Sequence, residues 1–146
     1  MSVGTDDTVL IITRIFDAPP ERVFDAWMER KEWEAWIGPE GTSCQLPQME
    51  PKVGGRYHLI MNLSDGQKIN VIGTYKTIER PSKVVFTWGA QDTPEKTTTV
   101  TLTFRDAANG RTELTLRHEN LETAENRDAH GKGWNSALNK LERYLA

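Results

Sequence analysis

TTTVTLTFRDAANGRTELTLRHE, residues 97–119, reads as two alternating segments folded about one turn. In the first, Thr98, Val100, Leu102 and Phe104 share a face and threonines occupy the other. In the second, Thr112, Leu114, Leu116 and His118 oppose Glu113, Thr115, Arg117 and Glu119. Asn109-Gly110, between them, tolerates the positive φ that a tight hairpin requires. Alternation with a period of two predicts antiparallel strands, one face on a core and the other in water.

The pattern extends upstream. Val84, Phe86 and Trp88 alternate with Val85 and Thr87, and Ile69, Val71, Gly73 and Tyr75 share a face. Tyr57, Leu59, Met61 and Leu63 alternate with Arg56, His58, Ile60 and Asn62, and Asp65-Gly66 is a second hairpin signal. The chain opens with a further strand, predicted over residues 8–16. Pro19 and Pro20 then fit the start of a short helix that places Val23, Phe24 and Trp27 on one face. A second short helix carries Trp33, Trp36 and Ile37 and ends at Gly38, Pro39 and Gly41.

The last helix is predicted from Thr123, as cap, to Leu145. Trp134, Ala137, Leu138, Leu141 and Leu145 form its apolar stripe. Gly131 and Gly133 interrupt its early part, so either the helix starts later or something approaches its backbone closely. The crossover helices of a parallel sheet are missing from the middle of the chain. The predicted fold is α+β: a curved antiparallel sheet wrapped on a long C-terminal helix, with two short helices after the first strand. A curved sheet and a straight helix do not close along their whole length, which predicts a hollow between them.

The 146 residues suit a single domain over residues 1–146. Eighteen Lys and Arg against twenty-one Asp and Glu leave a net charge of -3, with no basic cluster interleaved with aromatics. Nucleic acid and polybasic membrane attachment are excluded as main partners on that ground. No apolar run approaches the ~20 residues of a membrane span, and the N-terminus lacks the order of a secretory signal. A cytoplasmic location is the default expectation. The lone Cys44 cannot form an internal disulfide.

Five stretches, taken in order, resemble a known family. They are VLIITRIFDAPPERVFDAW (9–27), EWEAWIGPEG (32–41), GGRYHL (54–59), GTYKTIERP (73–81) and GKGWNSALNKLERYL (131–145). Together they are similar to the activator-of-heat-shock-protein-ATPase-like (AHSA-type) branch of the START-like superfamily. The resemblance implies the helix-grip fold. It also implies an internal cavity that the superfamily uses for lipids, hormones, polyketides and other apolar molecules. The eukaryotic co-chaperone of that branch has a separate N-terminal chaperone-binding domain, which a chain of this length is expected to lack.

Few residues offer chemistry. No HExxH, Cys/His cluster, GxSxG elbow or dinucleotide fingerprint is present, so no catalytic residue, metal site or cofactor is expected. His118 shares parity with Leu114 and Leu116, points inward, and is the candidate titratable contact to a ligand. His130 could cover a cavity mouth, and His58 belongs to the wet face. Cys44 reads as a small buried hydrophobe, and Glu50 as a carboxylate that could enter the cavity beside Met49. Trp36, Tyr57, Met61, Tyr75, Phe86, Trp88, His118 and Trp134 are the candidate cavity lining, although a close-packed core would use the same residues.

The expected function is binding of a small apolar or aromatic molecule between sheet and final helix. The alternatives are a cyclase- or hydrolase-type enzyme using polar cavity groups, and a co-chaperone-like regulator of a heat-shock protein ATPase with a chaperone as partner. A monomer and a homodimer are both compatible with the sequence.

Overall fold

The alternating segments pair as their periodicity requires. In the computed structural model, which describes residues 8–146, seven strands form one sheet in the order β1-β7-β6-β5-β4-β3-β2. The strands are β1 (Leu10–Phe16), β2 (Ser43–Met49), β3 (Arg56–Asn62), β4 (Lys68–Glu79), β5 (Lys83–Ala90), β6 (Thr98–Ala107) and β7 (Arg111–Glu119). The helices are α1 (Pro20–Met28), α2 (Arg30–Trp36) and α3 (Ala124–Leu145). Every neighbouring strand pair is antiparallel. The first strand begins at Leu10 rather than Thr8, whose carbonyl instead accepts from the Leu121 N–H.

The inward parity of β6 and β7 carries Val100, Leu102, Phe104, Thr112, Leu114, Leu116 and His118 into the core. Opposite them lie α1, α2 and α3, contributing Trp27, Trp33, Trp36, Trp134 and Leu138. The threonine faces look outward, and Thr13 and Thr115 are within hydrogen-bonding distance across β1 and β7. The β6–β7 hairpin turns through Asn109 and Gly110, both with positive φ, as that dipeptide predicts. Thr123 caps α3 by accepting from the Asn126 N–H.

Curvature is built into β4. Its pairing with β5 shifts register between Tyr75 and Thr77, a bulge that bends the strand. Two positions earlier, Gly73 lies opposite Tyr57, and the Tyr57 ring crosses it to donate to the Thr87 carbonyl at 2.6 Å. A Cβ on Gly73 would fall onto that carbonyl oxygen and the Tyr57 ring. Gly73→Ala is therefore expected to cost about 2–3 kcal/mol by overpacking, measured as a lowered midpoint in urea denaturation. A loss below ~0.5 kcal/mol would show that β4 can move away.

Candidate functional site

The two glycines of α3 leave the helix unbroken and serve different purposes. At Gly131 a Cβ would press on the Leu10 side chain, so this glycine lets β1 approach the helix. At Gly133 a Cβ would meet nothing within 4 Å. Ala129, Gly133 and Ala137 follow at intervals of four and lie on one face of the helix. Three small side chains in a row leave a trough in that face, and the sheet does not fill it. The result is a cavity of about 290 Å³.

Ala129, His130, Gly133, Trp134 and Ala137 of α3 form one wall. Met61, Ile69, Val71 and Trp88 of the sheet form another, and Ile37, Gly38 and Pro39 after α2 close the end. The Trp88 and Trp134 rings stand 5.0 Å apart at 50°. A second hollow, beside Ile15, Asp17, Asn109, Arg111, Glu142 and Leu145, mixes charges of both signs with a smaller apolar portion.

Of the residues expected to line the cavity, Met61, Trp88 and Trp134 do so. The other five stand behind its walls. Trp36 packs edge-on against Trp27 and donates its indole N–H to the Ala26 carbonyl. Tyr57, Tyr75 and Phe86 form one aromatic cluster, and Trp33 meets Tyr57 and Phe86. Burial pushes the Tyr75 and Tyr57 hydroxyls well above the usual phenol range, and they stay neutral. Strand parity places Tyr57, Tyr75 and Phe86 inward, as it does Met61 and Trp88. It does not separate those beneath the helix trough from those beneath α2.

His118 is fully buried, is not among the residues lining the cavity, and has both of its nitrogens engaged within the protein. The Trp134 indole N–H donates to Nδ1 at 3.1 Å. The Thr98 hydroxyl donates to the Trp88 carbonyl at 2.7 Å, so at 2.6 Å it accepts from His118 Nε2–H. The chain of bonds assigns the neutral imidazole with its proton on Nε2. Desolvation, with a smaller contribution from neighbouring His130, pushes the imidazole down to about 3. His118 thus holds two cavity-wall tryptophans, one by its indole and one through its backbone.

His130 reaches the cavity wall and lies 4.9 Å from the His118 ring, while its Nδ1 donates to the Asn126 carbonyl at 2.8 Å. His58 stays on the outer face, bonded to Asn70 at 2.9 Å. Glu50 does not enter the cavity. It is exposed, and the Arg56 N–H it accepts at 3.0 Å holds its carboxyl below the usual range. Cys44 is half-buried and donates to the Ile37 carbonyl at 3.1 Å, and burial pushes its thiol up. Among the described residues, no group of three His, Cys, Asp or Glu side chains could hold a metal ion.

The segment after α2 is fastened to α3. Lys140 donates to the Ile37 and Gly38 carbonyls at 3.3 and 3.2 Å, and the Glu40 N–H donates to Ser136 at 2.7 Å. Arg143 adds an ion pair to Glu40 at 2.7 Å. The cavity's end wall is therefore tied to the same helix that forms its side.

A family model described as Activator of Hsp90 ATPase homolog 1-like protein (AHSA1) matches residues 17–146. The chain belongs to that family. A solved AHSA1 protein from Silicibacter pomeroyi is 28% identical to this AHSA1-like chain. Its TM-score is 0.80, with 94% of this chain and 96% of that one covered. A protein from Staphylococcus epidermidis is 26% identical, with a TM-score of 0.82 over 99% of this chain and 93% of that one. One from Chromobacterium violaceum, 24% identical, has a TM-score of 0.86 over 94% and 96% of the two chains and shows the shared fold. No curated protein matches the sequence. The AHSA1-like fold is one capable of ligand binding or of co-chaperone-type interaction. Among the described residues, no helix is long and apolar enough to cross a membrane.

Proposed function

We propose that this AHSA1-like protein binds a small apolar molecule in the cavity between α3 and the sheet. The observation that supports this reading is a hollow of about 290 Å³ walled by two indoles, a methionine and aliphatic side chains. Such a lining favours apolar ligands through burial and through soft contacts to the thioether and ring faces. The His118 relay holds the Trp134 and Trp88 wall in place before any ligand arrives, which reduces the ordering cost of binding.

The family match speaks for a second reading more directly than for the first: a regulator of a heat-shock protein ATPase. The two separate experimentally. Native mass spectrometry of protein purified from its own host is expected to reveal a bound small molecule. Trp88→Phe should weaken binding of naphthalene about threefold or more, while at this half-buried site it keeps an aromatic ring and costs less stability than the ~3–5 kcal/mol of a full truncation to alanine. Equal naphthalene binding by both proteins would remove Trp88 from the site. Stimulation of a chaperone ATPase by a ligand-free protein, undiminished in Trp88→Phe, would favour the second reading.

A further inference from the structure

We propose that the cavity takes an uncharged aromatic molecule of one or two rings bearing one hydrogen-bond donor, and that His130 Nε2 accepts from that donor. This deepens the ligand-binding reading and rests on it. Size comes first. An apolar cavity of about 150 Å³ accepts benzene, so one of about 290 Å³ suits a fused pair of rings. Shape follows from the tilted faces of Trp88 and Trp134, which favour a flat aromatic guest in offset or edge contact.

Charge is disfavoured because most of the nearby donors are already spent. The Trp134 N–H is given to His118 and the Thr98 hydroxyl to the Trp88 carbonyl. Lys140 is directed to the Ile37 and Gly38 carbonyls. A carboxylate buried against this wall would exchange its water for at most the Trp88 indole N–H and the third N–H of Lys140.

The donor requirement comes from His130, a lining residue with a ring nitrogen that no group among the described residues fills; the Trp88 indole N–H is also open, but it is a donor and leaves the acceptor role to His130. His130 Nδ1 must carry a proton, because its partner is the Asn126 carbonyl. In the neutral ring Nε2 is then an acceptor. Neighbouring His118 cannot satisfy it, since Nε2–H of His118 is given to Thr98 and its Nδ1 is itself an acceptor. A phenolic O–H or an aromatic N–H complements that atom, and an ether or ketone does not.

The test is binding of naphthalene, 2-naphthol and 2-naphthoate to the whole protein in mildly alkaline buffer, followed by fluorescence and calorimetry. The naphthol is expected to bind about fivefold more tightly than naphthalene, the worth of one neutral hydrogen bond. The naphthoate should bind at least ~100-fold more weakly than the naphthol. In His130→Leu the naphthol-to-naphthalene ratio should fall to about one, and His130→Gln, which restores an acceptor, should recover part of it. Naphthalene binding without preference for the naphthol, or a preference that survives in His130→Leu, overturns the ligand class alone. Tighter binding of the naphthoate also overturns it, by showing an anion site. Failure of all three to bind overturns the cavity reading with it.

Discussion

Acidification from pH 7 to pH 4 is expected to cost the protein about 3 kcal/mol of stability that a His118→Asn variant does not lose. The folded imidazole is held down to about 3, whereas in the unfolded chain it titrates near 6.5. Between those values the unfolded state binds a proton that the folded state refuses. The folded state is therefore penalised increasingly as pH falls through 6.5, and the penalty levels off only near pH 3. Geometry gives the same sign, since a proton on Nδ1 would face the Trp134 N–H, donor against donor. Asparagine offers Trp134 an acceptor without titrating. Glu32, Glu40 and Glu50, whose partners hold their carboxyls low, also lose stabilising contacts in acid. They do so in both proteins, so the difference isolates His118. Urea denaturation at the two pH values supplies the measurement. Parallel losses in wild type and variant would mean that His118 takes up a proton freely in the folded state.

Trp134→Ala is expected to destabilise by about 4 kcal/mol, within the range for deleting a buried indole. Trp134 touches Trp88 at 5.0 Å and Trp27 at 5.9 Å, and its N–H fills His118 Nδ1. Its removal enlarges the cavity and strands a buried acceptor. Trp134→Phe separates these effects. Phenylalanine keeps much of the ring packing but leaves Nδ1 unpaired, at about 1–3 kcal/mol. With no donor facing it, Nδ1 protonates more readily, so the His118 imidazole should titrate at higher pH by NMR. An unchanged His118 titration in Trp134→Phe would show that burial, with His130 beside it, holds the imidazole down without help from the Trp134 donor.

Some of the site was legible in the residues before any tertiary structure. Strict alternation in β5, β6 and β7 placed Trp88 and His118 on the inward face, and the stripe on α3 placed Trp134 there. The small-residue series Ala129, Gly133 and Ala137 is also present in the sequence. It carries the signal for the hollow, and apolar patterning overlooks it because a trough is marked by side chains that are small rather than hydrophobic. Gly131 and Gly133 look alike in sequence, yet one admits Leu10 and the other opens onto space.

What the sequence by itself determined is the sheet, the helix that lies on it and the face each strand turns inward. Those follow from periods of two and 3.6, which are local properties of the chain. Only the tertiary structure decided which inward residues border the cavity and which fill the core behind it. Tyr57, Tyr75 and Phe86 have the same parity as Met61 and Trp88 but lie in the cluster that Trp33 of α2 joins. The engagement of His118 behind the cavity wall was also tertiary. Its two nitrogens are engaged by Thr98 from β6 and Trp134 from α3, twenty and sixteen positions away in the chain. A hydrogen bond across that separation depends on how α3 settles over the sheet, and parity along one strand contains no information about it.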